Sequence, residues 1–181
     1  MNMCEVQKYS GLTRRKGNNE LKLKRMTLTA LFAALCVIGG LIKIPSGVGS
    51  LALDTVPALL AVSFLPPVFV GIASLMGHLA SAMYAGFPLG PFHLLVAAEM
   101  FVILYLFARL HRSDRHVLKW AFFIIANGVL ASLPFYFLLS PAIFIGLLPS
   151  VLMATVLNAA VAAVVMPALR KVAVKRFGAS N

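Results

Sequence analysis

Long apolar runs dominate the chain between residues 26 and 169, and short polar or Pro- and Gly-rich segments separate them. A helix needs about 20 residues to cross a bilayer, so this region holds roughly six or seven spans. The pattern predicts an all-α membrane protein with six transmembrane helices. The second run is too short to cross upright, which leaves open a tilted or partly re-entrant segment. The expected spans are 26–42, 55–65, 68–84, 93–108, 120–139 and 143–169.

The segments between the spans carry residues that break helices. Residues 43–53 contain one Pro, two Gly and two Ser, which predicts a loop. Asp54 and Thr55 stand shortly before Pro57, a pattern typical of a helix start with a capping side chain. The later breaks are Pro66-Pro67, residues 86–91, the charged segment 109–119 and Ser140-Pro141.

Composition excludes the other broad classes. Hydrophobic residues make up 61% of the 181 residues and charged residues 12%, whereas about a quarter of an average soluble domain is charged. Disorder requires low hydrophobicity. A transmembrane β-barrel would alternate apolar and polar residues along each strand, but the apolar runs here are continuous.

The positive charges predict the orientation in the membrane. The formal net charge is +11, and the basic residues lie near the two ends and in segment 109–119. With six spans and both termini in the cytoplasm, 15 Lys and Arg residues fall inside and one, Lys43, outside. This split follows the positive-inside rule and explains the charge better than nucleic-acid binding does. The expected organisation is a basic cytoplasmic tail (1–25), a transmembrane substrate-binding domain (26–169) and a second basic cytoplasmic tail (170–181).

Known catalytic signatures are missing from the sequence. It has no P-loop, so we expect no ATP hydrolysis by this chain, and no G-x-S-x-G or H-E-x-x-H motif. Cys4 and Cys36 fit neither a disulfide framework nor a metal motif. The first apolar run lacks a clear signal-peptide cleavage site, which favours a retained span. We therefore expect a protein that is not an enzyme and holds no cofactor.

Polar residues inside the spans are the candidate ligand contacts. Glu99 lies about two turns below the expected outer end of the fourth span, where an ionisable group is costly unless it faces protein or water. His93 and Glu99 are six residues apart, about 240° around a helix, which argues against a shared metal site. Bonds between helices or to a ligand are alternatives for His78, His93, Asn127 and Asn158, and Asp54 is a helix cap that also suits an outer cavity.

Aromatic residues cluster near the expected outer ends of the spans. They form either an interface belt or a stacking surface for a flat ligand. Together with the acid, amides and imidazoles, they suit a small, partly aromatic solute that forms hydrogen bonds. The residues are Tyr84, Phe87, Phe92, Phe135, Tyr136 and Phe144.

Over residues 24–172 the chain resembles the substrate-binding S components of energy-coupling factor (ECF) vitamin transporters. The size and six-span layout are similar, and Ala30 and Ala34 supply a small-x-x-x-small pattern in the first span. The run at 44–67 is similar to the family's Pro-containing outer loop, Asp-led second helix and following turn. Pro66-Pro67 departs from the Gly-Pro of many relatives.

The resemblance implies a substrate-capture subunit in the plasma membrane. Such a subunit binds a vitamin-like solute at the outer face, docks on a transmembrane coupling protein joined to two cytoplasmic ABC ATPases, and topples to release its load. The partner ATPases, and not this chain, use ATP. Ala30 and Ala34 would form the docking surface, since small side chains let helices approach closely.

The resemblance also suggests a substrate. Residues 86–100 look most like members assigned to α-ribazole, a benzimidazole riboside salvaged for cobalamin. Aromatic residues would stack on the base, and Glu99 with an Asn or His would bind the ribose hydroxyls. Pantothenate, riboflavin and thiamine remain open, as do a stand-alone carrier or channel and a membrane enzyme or assembly factor without a recognisable motif.

Overall fold

The computed structural model describes residues 3–46, 49–87 and 89–177, and the fold is helical apart from one β-hairpin. Helix α1 (Met3–Leu41) leads into strands β1 (Lys43–Ser46) and β2 (Gly49–Ala52). The remaining elements are α2 (Val56–Leu60), a 3₁₀ turn (Ala61–Ser63), α3 (Pro67–Tyr84), α4 (Phe92–Arg112), α5 (His116–Gly128), a second 3₁₀ turn (Leu130–Ser132), α6 (Pro134–Leu138) and α7 (Pro141–Phe177).

Four helical segments of the described chain are long and apolar enough to cross a membrane. They are Pro67–Tyr84, Phe92–Arg112, His116–Leu138 and Pro141–Val172. These segments match the last four of the six expected spans. The first expected span lies within α1, and the second is the short α2 with its 3₁₀ turn. The inside and outside of the membrane are not defined by the helices alone, so the orientation stays a prediction.

Two sequence expectations need correction, and two helices extend beyond their expected spans. The expected loop at 43–53 contains an antiparallel hairpin, in which Lys43 pairs with Ala52 and Ile44 with Leu51. Helix α1 begins at Met3 and α7 continues to Phe177, so both helices run into the adjoining tails, whose assignment to the cytoplasm stays a prediction. The charged segment 109–119 is mostly helical, since α4 ends at Arg112 and α5 begins at His116.

The short α2 lies in the centre of the bundle. Ala58, Leu59 and Ala61 are fully buried, and α2 packs against α1 and α7. The core around it is made of large apolar side chains from neighbouring helices, including Leu65, Val70, Leu104, Phe107 and Phe123. Burial of these side chains removes apolar area from contact with the surroundings and fixes the helices at van der Waals distance.

Small residues allow α1, α3 and α4 to approach closely. A Cβ atom added to Gly77 of α3 would come within 2.5 Å of the Cys36 Cβ on α1. A Cβ on Gly71 would come within 2.8 Å of the Phe101 ring on α4. Close packing through small residues is the usual means of helix association in a bilayer, where the hydrophobic effect does not drive helices together.

The two ends of the bundle differ in chemistry. We call the end that carries the β-hairpin, the α3–α4 turn and α6 the hairpin end. We call the end that carries the α4–α5 turn and the C-terminal part of α7 the basic end, since Arg112, Arg115 and Arg170 lie there. At the basic end, Arg112 donates a hydrogen bond to the carbonyl of Leu65 (3.4 Å) in the turn before α3.

Candidate functional site

A cavity of about 280 Å³ opens at the hairpin end, between the segment that joins β2 to α2 and helices α3, α4, α5 and α7. We call it the hairpin-end cavity. It brings together five of the polar residues singled out in the sequence: Asp54, His78, His93, Asn127 and Asn158. Apolar side chains line the cavity beside these polar groups; they include Val96, Met100, Phe135, Leu147 and Val151.

A hydrogen-bonded chain runs from the α3–α4 turn into the cavity wall. The backbone N–H of Leu89 donates to Nε2 of His93 (3.3 Å), and Nδ1 of His93 lies 3.3 Å from Nε2 of His78. A neutral imidazole has one donor and one acceptor nitrogen. Since Nε2 of His93 accepts, its Nδ1 carries the proton and donates to His78. His78 therefore keeps its own proton on Nδ1, as a donor for a further partner.

The α3–α4 turn has an unusual backbone conformation. Gly86, Phe87 and Gly90 all have positive φ, of 78°, 50° and 56°. A bulky residue rarely adopts this conformation, and it persists only where its surroundings hold it. Here the Phe87 N–H donates to the carbonyl of Ala82 (2.8 Å), and the Phe87 ring packs edge-on against His93. The turn thus fixes one side of the imidazole pair.

Asn158 organises the opposite wall and is 2% exposed. Its Oδ1 accepts from the backbone N–H groups of Thr55 (3.2 Å) and Val56 (3.0 Å), while its Nδ2 donates to the carbonyls of Ala52 and Ala154 (2.8 Å each). These four bonds use both N–H donors and both acceptor lone pairs of the Asn158 side-chain amide. Asn158 of α7 therefore ties together β2, the start of α2 and its own helix, as the sequence alternative of a bond between helices predicts.

The same bonds correct the expected cap of α2. The Thr55 side chain makes no capping bond to the helix; its hydroxyl donates to Oδ1 of Asp54 (3.2 Å). The free N–H groups at the helix start are satisfied by Asn158, a residue about a hundred positions later in the chain. Local sequence could not reveal a cap supplied from another helix.

Asp54 is thereby free of a capping role and lines the cavity. Burial raises the pKa of its carboxyl group, since removal from water disfavours the charged form; the hydrogen bonds with Thr55 oppose this rise. Asp54 can therefore offer either an acceptor oxygen or, when protonated, an O–H donor to a ligand.

Asn127 joins α5 to α7 and also lines the cavity. Its Nδ2 donates to Oγ1 of Thr155 (2.7 Å), which is 1% exposed. The two alternatives raised for Asn127, a bond between helices and a ligand contact, are compatible, because the amide is only half-buried.

The aromatic candidates divide into two groups. Phe135 lines the cavity, and Phe92 supports it in an edge-to-face contact with ring centroids 6.0 Å apart. Tyr84 is 73% exposed and lies outside the cavity lining. Tyr136 packs against Phe137 and Phe144 instead. The outer aromatics thus supply one stacking ring to the cavity and leave the tyrosines on the protein surface.

Glu99 does not reach the hairpin-end cavity, which corrects its expected place beside the other candidates. It lines a separate groove of about 420 Å³ with Ala98, Val102 and Phe122. The cause is the helical rotation of about 240° between His93 and Glu99, which turns the two side chains away from each other. In the described part of the chain, Oε2 of Glu99 is buried without a hydrogen-bond partner.

The described residues contain no group of three His, Cys, Asp or Glu side chains arranged to hold a metal ion. The His78–His93 contact is a pair, and three of its four ring nitrogens are engaged with each other or with Leu89.

Several cavity residues were not singled out from the sequence. Leu147, Val151, Ala154 and Asn158 follow one another at three or four positions along α7, so they form one helical stripe. Counting back from Asn158 towards Pro141 in steps of three or four residues would have identified the other members of this stripe from the sequence. Ser132 and Ser150 also line the cavity and could not have been distinguished from other small residues of a membrane helix.

Ala30 and Ala34 lie on a different surface. Both are exposed on α1, and Leu31 and Ile38 beside them are about half exposed. The opposite face of α1, with Phe32 and Cys36, is buried in the core. The small-residue pattern therefore faces outward from the bundle.

Comparison with known proteins identifies the family. The sequence model of one family, described as ECF transporter, substrate-specific component, matches residues 24–176. A comparison with curated proteins and another with solved structures each return no match. The family match covers α2 to α6 completely and most of α7, and thus includes every residue of the hairpin-end cavity. The chain therefore belongs to the substrate-specific components of ECF transporters: it is a membrane protein that captures substrate for an ECF module.

Proposed function

We propose that the hairpin-end cavity is the substrate site and that its substrate is a small neutral aromatic riboside, with α-ribazole as the best candidate. The observation that carries this proposal is the meeting, in one cavity, of an aromatic ring (Phe135), an imidazole donor (His78) and a carboxyl group (Asp54). This set can stack on a flat base and form hydrogen bonds to ring nitrogens and sugar hydroxyls.

Charge disfavours an anionic solute. Among the described residues that line the cavity, none is Lys or Arg. A carboxylate such as that of pantothenate would have to leave water without a cationic partner, which is costly. The volume of the cavity favours a small ligand, because about 280 Å³ is at the small end of the range for ligand sites. The three fused rings of riboflavin would need more room than the two of a benzimidazole.

The roles of the residues follow from their bonds. Phe135 stacks on the base. His78 donates from Nδ1 to an unsubstituted ring nitrogen, and Asp54 and the half-buried Asn127 bind ribose hydroxyls. Asp54 takes the place that the sequence suggested for Glu99, since Glu99 lies in another groove. Asn158 positions the cavity wall rather than the ligand, because its own bonds are filled.

The membrane orientation is part of the proposal. With six spans and both termini in the cytoplasm, the hairpin end faces outward and the cavity is accessible to external solute. The exposed face of α1 with Ala30 and Ala34 then docks on the coupling protein, whose two ATPases supply the energy. Small side chains on that face permit the close approach of a partner helix.

A binding panel tests the substrate. The full chain, purified without partners, is titrated with α-ribazole, riboflavin, thiamine and pantothenate by isothermal titration calorimetry. We expect one-to-one binding of α-ribazole and much weaker binding of the others. Tight binding of pantothenate would contradict the charge argument. Conversion of any ligand to a product of different mass would favour the enzyme alternative instead.

A further inference from the structure

A second cavity lies at the basic end, far along the bundle from the substrate cavity. It has a volume of about 690 Å³ and is lined by residues from α4, α5 and the C-terminal part of α7. Four of its lining residues are cationic, namely Lys119, Arg170, Lys171 and Lys175, and two more are histidines, His111 and His116. Among its described lining residues there is no Asp or Glu.

Lys119 is the unusual member of this group, since it is 3% exposed. A positive-inside residue needs only to be near the membrane surface, and a lysine at such a site would extend its ammonium group into water. Lys119 instead turns inward. Its Nζ lies 2.8 Å from Nδ1 of His111 and 3.6 Å from Sδ of Met166, and it is 5.2 Å from the centre of the Trp120 ring.

These neighbours supply no negative charge to Lys119. A neutral imidazole and a thioether accept hydrogen bonds, and the faces of the Phe107 and Trp120 rings attract a cation, with ring centres 5.9 and 5.2 Å from Nζ. No described carboxylate forms an ion pair with Lys119; the nearby Asp114 pairs with His116 instead, at 3.2 Å. Burial of an ammonium group is costly, and an anion entering the cavity would offset part of that cost.

The walls of the cavity indicate what kind of anion enters. Ala163, Met166, Pro167 and Val174 form an apolar side next to the cations. Val164 and Val174, on the adjoining surface of α7, are exposed. Inorganic phosphate has no group that would bind an apolar wall, whereas a phospholipid places its phosphate beside the cations and its acyl chains along the exposed apolar surface of the helix.

We propose that the basic-end cavity is a specific binding site for the headgroup of an anionic phospholipid. The lipid phosphate sits between Lys119 and the rim cations Lys171 and Lys175, and the acyl chains follow the apolar surface of α7. This site is separate from the substrate cavity and does not depend on the identity of the substrate.

Native mass spectrometry of the full chain tests the site. The protein is released from detergent after addition of phosphatidylglycerol or phosphatidylcholine. We expect retained phosphatidylglycerol and little phosphatidylcholine. The rim variant Lys171→Gln/Lys175→Gln changes two exposed residues and should leave the fold intact. It should lower phosphatidylglycerol affinity roughly 25-fold, since each Lys near an anionic surface contributes about fivefold. The matched control Lys22→Gln/Arg25→Gln removes two exposed charges from α1, outside the cavity, and should leave retention within about twofold.

Lys119→Met examines the buried cation and should also abolish the preference for phosphatidylglycerol; if this variant does not fold, the rim variant decides. Competition distinguishes the source of the phosphate. Excess inorganic phosphate or ATP should not displace the lipid, and displacement would show a site for a soluble anion instead. Equal retention of the two lipids, or equal effects of the rim and α1 variants, would overturn the proposal.

Discussion

At the scale of single residues, the polar side chains around the hairpin-end cavity are held by hydrogen bonds to the backbone and to one another. Asn158 bonds to the backbone of β2 and of the start of α2. The imidazoles of His78 and His93 form a hydrogen-bonded chain from the backbone of Leu89 to the cavity wall. The sequence singled out these residues because a polar side chain is energetically costly within an apolar span, but it could not assign their hydrogen-bond partners. Partners such as Thr55 and Asn158 are a hundred positions apart, and a burial cost shows only that some partner exists.

Substitution of Asn158 should reveal its structural role. Asn158→Leu leaves two backbone N–H groups of α2 and the Ala52 carbonyl without their partner, in a buried site. We expect a loss of about 3 kcal/mol in the free energy of unfolding, because each buried unsatisfied group costs about 1–3 kcal/mol. Denaturant unfolding in detergent micelles measures it. An Asn158→Leu protein as stable as the parent would contradict this role.

Asp54 should make stability depend on pH. Because burial raises the pKa of this carboxyl group, the folded chain holds its proton at a pH where the unfolded chain has lost it. Stability should therefore fall as pH rises from the ordinary carboxyl value through the raised one. Thermal unfolding of the ligand-free protein between pH 4 and 8 measures the slope. In Asp54→Asn the slope should be shallower, and an unchanged slope would assign the effect to other groups.

At the scale of elements, the ends of α3 follow from local sequence, whereas the faces of the helices do not. The expected third span, 68–84, agrees with α3 (Pro67–Tyr84), since Pro66-Pro67 and the Gly-rich turn limit it on both sides. The hairpin at 43–52 was missed, because Pro and Gly at those positions are equally typical of loops. Lys119 appeared to be a loop cation, and its burial depends on packing between α4, α5 and α7.

Two glycines should respond in opposite ways to alanine. Gly77→Ala places a methyl group against Cys36, so α1 and α3 must separate; overpacking of this kind costs about 1–3 kcal/mol. Gly146 lies in α7 with nothing within 4 Å of an added Cβ, so Gly146→Ala should be neutral or should stabilise the helix by up to about 1 kcal/mol. Thermal unfolding compares the two. Equal effects would mean that α1 and α3 are not closely packed.

At the scale of the whole molecule, the proposed substrate site and the proposed docking surface lie on different faces. The hairpin-end cavity lies inside the bundle, whereas Ala30 and Ala34 face outward from α1. The predicted six-span orientation rests on the distribution of Lys and Arg over all the loops and tails. The sequence already assigned docking and binding to different residues, but it could not predict which way the two alanines face, because nearly every face of these helices is apolar and the pattern does not distinguish a lipid-facing side from a core-facing one.

Separation of the two surfaces should be visible in transport. Ala34→Trp adds bulk to the outward face of α1 and should lower uptake by the complete transporter at least tenfold, while substrate affinity of the isolated chain stays within about twofold. Val164→Trp, on an exposed site of α7, is the matched control and should transport normally. Loss of binding in Ala34→Trp, or equal loss of uptake in both variants, would contradict docking through α1.

A matched pair of variants tests whether substrate binds in the hairpin-end cavity. Ala154→Phe fills this cavity, and Ala98→Phe fills the Glu99 groove with the same side chain. Calorimetric titration with the substrate found in the binding panel, on variants shown to be folded by thermal unfolding, gives the affinities. We expect Ala154→Phe to lose binding at least a hundredfold, about 2.7 kcal/mol, and Ala98→Phe to bind as the parent does. Loss of binding in Ala98→Phe alone would place the substrate beside Glu99 and contradict the account.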